Sequence, residues 1–171
     1  MNTMEKIVKA QKQIINNLAE CEQAISELYA VYSEAIPDHK DFWKDLSKKE
    51  QFHASLLITM QNQLDQGKIF QNIGRFDAAS IEAFLKKIRD AIEYARENDV
   101  SPILGIETAL AIESSILDTH FYDVVRSNAP EYNIVAQRLS ADTNDHVKIV
   151  QDKLLEIQSN NSMQATPNST P

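Results

Sequence analysis

Glu50 and His53 are separated by two residues as E-x-x-H. On a helix that spacing sets the two side chains about 60° apart around the axis, so both can reach one ion. Three other stretches carry ligand-type residues in apolar surroundings: Glu22 between Leu18 and Ile25, Glu113 between Leu110 and Leu117, and His146. Asp142 stands four residues before His146, about 40° away and some 6 Å along a helix axis. Carboxylate oxygen and imidazole nitrogen are ligands that iron, manganese and zinc all accept. Carboxylates buried together carry a desolvation cost of several kcal/mol each unless they are paired or bound to metal. No lysine or arginine shares these rows, so the counter-charge they require is a cation.

The elements that position these residues follow from apolar spacing. A first helix is expected over Met4 to Ala35, with Ile15, Leu18, Ile25, Tyr29, Tyr32 and Ile36 in steps of three and four, ended by Pro37. Extending that row places Glu22 inside and leaves Glu20, Glu27 and Glu34 outside. A second helix, capped by Asp38 or Asp41 and closed by Gly67, buries Phe42, Leu46, His53, Leu57, Met60 and Leu64. The pattern lapses from Gly67 to Ala79. It resumes as an amphipathic helix over Ser80 to Asn98 that serves as a crossover. Ser101-Pro102 is a cap followed by a first-turn proline and opens a helix through Ile103, Ile106, Leu110, Leu117 and Val124, stopping near Ser127. Pro130 opens the last helix through Val135, Leu139, Ile149 and Val150. The expected architecture is all-α, a ferritin-like four-helix bundle running up-down-down-up, with one long crossover that contains an additional short helix. Residues 1–157 are expected to form the bundle domain and the polar residues 158–171 a disordered tail.

Composition narrows the function classes. The 171 residues carry a formal charge of −8, with no basic stripe to neutralise phosphates, which argues against a nucleic-acid partner. Met1 to Asn17 alternates charged and apolar residues and has no uninterrupted apolar run, so a signal peptide, a membrane span and a membrane partner are not expected, and the cytoplasm is the expected location. The single cysteine, Cys21, excludes an internal disulfide and a four-thiolate metal site within one chain. A metal here is held by O and N ligands.

Taken together, Glu22 with Tyr29 seven residues on, the E-x-x-H of Glu50 and His53, Glu113 within AIESS, and the late DTNDH stretch resemble rubrerythrin and related ferritin-like di-iron carboxylate proteins. The resemblance spans Ile14 to Leu155. It implies two metal ions, iron first and manganese or zinc as alternatives, held by Glu22, Glu50, His53, Glu113 and His146. Such a centre supports oxidase, peroxidase or ferroxidase chemistry. Two departures qualify it. The family places Glu three residues before the last histidine, and here that residue is Thr143. Either Asp142 substitutes for it as a bridging ligand with a shorter side chain, or one metal position weakens towards a mononuclear centre. The cysteine-rich rubredoxin-like module of typical rubrerythrins is also missing, which implies an external electron donor.

Two quieter functions compete with the enzyme: a non-catalytic metal-binding or storage protein, and a metal-free helical protein that acts by association. A homodimer is the expected assembly. Tyr29 and Tyr32 are read as core packing ahead of a role supporting the ligands or in redox chemistry, His120 as a core or bundle-end histidine about 10 Å beyond Glu113, and His39 and Cys21 as residues without a function.

Overall fold

A computed structural model describes residues 3–64, 78–125 and 130–164. These form α1 (Thr3–Ala35), a 3-10 turn (Pro37–His39), α2 (Lys40–Leu64), α3 (Ala78–Glu97), α4 (Pro102–Asp118), a second 3-10 turn (Phe121–Val125) and α5 (Pro130–Gln164), with no strand among the described residues. The chain is all-helical. Each long helix buries one row at helical spacing: Ile15, Leu18, Glu22, Ile25, Tyr29, Tyr32 on α1; Trp43, Leu46, Glu50, His53, Leu57, Met60 on α2; Tyr132, Ala136, Leu139, Thr143, His146, Val150, Ile157 on α5. The polar members of these rows lie at mid-helix, which is what makes a site of the core.

Helix directions follow from which residues meet. Ser26 and Ser47 each bond the other's backbone carbonyl across α1 and α2 at 2.8 Å, so the two run antiparallel as a hairpin. Along α1 in reverse, α4 begins beside Ile36, its Glu113 meets Tyr29, and the following turn brings Tyr122 to Glu22. Along α2 in reverse, α5 sets Asp142 by His53, His146 by Glu50 and Lys153 over the Phe42 ring. Thus α4 opposes α1 and α5 opposes α2. α3 runs alongside α1, joined by Arg89–Glu20 at 3.3 Å and Arg96–Glu27 at 2.6 Å. Glycine at 105 lets the start of α4 approach closely, since a Cβ there would stand 2.8 Å from the terminal methyl of Ile36 and 3.3 Å from Trp43 Cζ2.

Three sequence expectations are corrected. α4 ends at Asp118 and does not continue through Val124. Thr119 N–H donates to the Ser115 carbonyl at 3.1 Å and His120 N–H to the Leu117 carbonyl at 3.0 Å, and His120 takes a positive φ of 50°. Histidine is one of the few side chains that tolerate that conformation. His120 is therefore an exposed turn residue, not a core residue, and the chain it redirects buries Phe121 and Tyr122. At the other end, α5 continues to Gln164, so residues 158–164 of the expected disordered tail are helical. Once nucleated over buried Ile157, a helix adds one hydrogen bond per residue until something stops it, and after Pro130 at its start the next proline is Pro167. Third, Ile149, expected on the buried row of α5, is 36% exposed, because the row passes through His146 and Val150. Gly67 and Ser127, expected to end helices, and residues 165–171 lie outside the described residues.

Candidate metal centre

Glu22, Glu50, His53, Glu113 and His146 come together from α1, α2, α4 and α5, each at most 2% exposed. Glu50 is the hub. Its Oε2 lies 2.9 Å from His53 Nδ1 and its Oε1 2.6 Å from His146 Nδ1, so one carboxylate spans both imidazoles. Glu22 Oε2 stands 3.8 Å from His53 Nδ1, and Glu113 Oε2 stands 3.7 Å from His146 Nδ1. The two rings stack with centroids 5.2 Å apart and an 18° tilt. One ligand atom from each of Glu50, His53 and His146 falls within 4.8 Å of the others.

The outer carboxylate oxygens are fixed from across the bundle. Tyr29 on α1 donates its hydroxyl to Glu113 Oε1 at 2.7 Å, and Tyr122 from the turn after α4 donates to Glu22 Oε1 at 2.5 Å. Each carboxylate is thereby aimed with its second oxygen inward. Those inward atoms, Glu22 Oε2 and Glu113 Oε2, have no hydrogen-bond partner, nor do Glu50 Oε1 and His146 Nδ1. The 2.6 Å approach of the last two has the length of a hydrogen bond without its direction. A buried polar atom left unsatisfied costs about 1–3 kcal/mol, more if charged. Four such atoms facing one another suit a divalent ion, so the donor set fits one.

Protonation follows the same geometry. Burial opposes ionisation of Glu50, but the His146 and His53 imidazoles held against its two oxygens outweigh it and take the carboxyl down to about 2. Burial disfavours charge on His53, yet the neighbouring Glu22 and Glu50 carboxylates raise it to about 10, and those of Glu113 and Glu50 raise His146 to about 9. Burial raises Glu22 to about 7, against the pull of His53, and burial also raises Glu113, aided by the Glu50 charge. Without metal, protons on the imidazoles supply the counter-charge that the carboxylates demand.

The sixth expected ligand is placed differently. Asp142 is 34% exposed at its side chain, with Oδ2 3.5 Å from His53 Nε2 and 3.4 Å from Arg138 Nε. It faces the far nitrogen of His53, the one turned away from Glu50. Thr143 takes the inward position on α5, fully buried, its hydroxyl 3.5 Å from the Tyr122 hydroxyl. The buried row of α5 passes through Thr143 and leaves Asp142 one residue to the side, against the outer nitrogen of His53.

Tyr122 escaped the sequence reading. Its only signal is an aromatic pair, Phe121-Tyr122, after His120, and assigning the segment to a continuous helix hides it. Of the two roles weighed for Tyr29, packing and support of the ligands, it fills both: it is buried in the core and donates to Glu113. Comparison with protein-family models, curated proteins and solved structures finds no match. Among the described residues no helix is long and apolar enough to cross a membrane.

Proposed function

We propose that this chain is a ferritin-like di-metal carboxylate protein, related in kind to rubrerythrin, that holds two ions, iron first among the candidates. The observation that carries this reading is the set of four buried, inward-facing ligand atoms without hydrogen-bond partners. Glu22, Glu50 and His53 would hold one ion and Glu113, Glu50 and His146 the other, with Glu50 shared. The opposed directions of α1 with α4 and α2 with α5, and the crossover helix between the hairpins, support a ferritin-like topology. With iron bound, the centre would supply electron transfer to dioxygen or hydrogen peroxide, with an external donor returning the electrons.

The chain's own residues do the rest. Tyr29 and Tyr122 fix the carboxylates so that little reorganisation is needed when an ion enters. Asp142, at the far nitrogen of His53, favours a proton there and leaves Nδ1 free as a ligand. This assigns Asp142 an orienting role in place of a bridging one.

A second reading, metal binding or storage without turnover, is favoured by Thr143, which removes one carboxylate from the inner set. Elemental analysis of purified protein, before and after anaerobic addition of Fe(II), tests the metal claim. Two ions per chain are expected, with both lost in Glu50→Ala; a wild-type chain that retains no ion under either condition overturns it. Stopped-flow measurement of Fe(II)-dependent consumption of oxygen or peroxide then separates turnover from storage.

A further inference from the structure

A cavity of about 370 Å³ opens between α2 and α5, lined by Lys48, Lys49, Phe52, Arg138, Asp142 and Asp145, with His53 and His146 at its floor. The two histidines are 1% and 2% exposed, so the cavity meets the outer boundary of the buried cluster. It reaches the cluster from behind: His53 turns Nδ1 towards Glu50 and Nε2 towards Asp142. Phe52 supplies an apolar wall, 45% exposed, with the Arg138 guanidinium carbon 5.3 Å from its ring centroid.

The charges around this space are unusual for a chain of net −8. Three cations, Lys48, Lys49 and Arg138, face two carboxylates, Asp142 and Asp145. Both carboxylates are engaged, Asp142 with Arg138 and His53, and Asp145 with Lys148 at 3.2 Å. Lys48 approaches Asp45 at 3.8 Å, and counting Asp45 and Lys148 leaves the excess of one positive charge unchanged. Lys49 makes no ion pair among the described residues. A concave site with an uncompensated cation at its mouth concentrates anions and repels metal ions. The volume is at the low end of ligand pockets, room for a small molecule and not for a polymer.

We propose that this cavity binds a small oxyanion or carboxylate, with Lys49 and Arg138 holding its charge, the Phe52 ring packing any apolar part, and the outer edges of His53 and His146 as the floor. This goes beyond the metal reading and does not depend on it, because the cavity and its charges are present without an ion. An anion seated there competes with Asp142 for Arg138, and Asp142 also lies 3.5 Å from His53 Nε2.

Inorganic phosphate and benzoate serve as probes, titrated separately into metal-free protein at constant ionic strength. Imidazole resonances of His53 and His146 are followed by NMR, and heat by calorimetry. Saturable binding of either anion with shifts of both histidines is expected, weakened about tenfold by Lys49→Gln or Arg138→Gln and unchanged by Lys87→Gln on α3. Phe52→Ala separates the sources, since a benzoate ligand loses affinity there and a phosphate ligand does not. Lys49 and Arg138 are solvent-exposed, so circular dichroism should show folded variants. Non-saturable shifts for both anions, or affinity unchanged in both the Lys49 and Arg138 variants, overturns the proposal. Neither outcome bears on elemental analysis, so the anion site and the metal centre fail separately.

Discussion

The two halves of the buried cluster invite comparison. On α1 and α2, Glu22 stands against His53, braced by Tyr122; on α4 and α5, Glu113 stands against His146, braced by Tyr29. In each half an imidazole follows its inward row position by three residues, but α2 puts Glu50 at that position and α5 puts Thr143. The symmetry fails at one side chain. Glu50 alone is set against both imidazoles. A centre of this kind has three inward carboxylates, and two divalent ions would leave it with one positive charge in excess. The difference teaches that its ligand geometry and its charge balance are separable.

Restoring the symmetry should produce the largest effect. Thr143→Glu adds a fourth buried carboxylate, which without metal destabilises the fold by several kcal/mol through desolvation and repulsion from Glu50. With Fe(II) or Mn(II) in excess the same carboxylate becomes a ligand, so the loaded variant should recover its melting temperature. Calorimetry should show a wider gap between loaded and metal-free melting than in the wild type. An equal gap in both proteins would mean that position 143 does not face the ions.

Acidity should discriminate less sharply, over a wide window. His53 and His146 are raised to about 10 and about 9, so their stabilisation of the metal-free fold is complete below their unfolded value near 6.5 and is lost as pH rises through 9 to 10. Glu22, raised to about 7, has the same sign, its contribution being lost between about 4.5 and 7. Glu50, lowered to about 2, has the opposite sign, contributing above 4.5 and failing as pH falls towards 2. Metal-free protein should therefore melt at progressively lower temperature from pH 7 to pH 10. Metal binding should strengthen over the same interval, because the ion replaces protons on the imidazoles. Parallel melting curves for both forms across that range would break the link.

The braces come next in size. Tyr122→Phe leaves Glu22 Oε1 buried without its donor, and Tyr29→Phe does the same to Glu113 Oε1, each at about 1–3 kcal/mol by chemical denaturation. The Tyr122 change also deprives the Thr143 hydroxyl of its neighbour. It should cost more than the Tyr29 change, and equal costs would show that Thr143 gains nothing from that contact.

How much of this could be read from the residues depends on distance along the chain. Glu22, Glu50, His53, Glu113 and His146 all lie on apolar rows with helical spacing, and period alone places each of them inside. The helix ends at Ala35 and the start at Pro102 carry proline and cap signals. The Tyr122 contact with Glu22 spans a hundred residues and depends on the left-handed turn at His120, which no local pattern announces. Asp142 is left open for a different reason. Its residue type suits a ligand, but the row on α5 runs through its neighbour, and on a helix the adjacent residue points about 100° away.

That offset of one residue sets up the smallest and most specific test. If Asp142 orients His53 from its far nitrogen, Asp142→Asn keeps the shape but weakens the pull on the Nε2 proton. Metal affinity should then fall by about tenfold, the low end of what such partners contribute, with stoichiometry unchanged. If Asp142 were a ligand, the variant would lose an ion. Fold stability should move little, since the side chain is 34% exposed and its contact with Arg138 is screened by solvent. The α1/α2 half alone should respond: NMR of a diamagnetic zinc-loaded form should shift the His53 ring and leave His146 in place. A shift of both rings would return Asp142 to the shared centre and make the two halves more alike than their inward residues suggest.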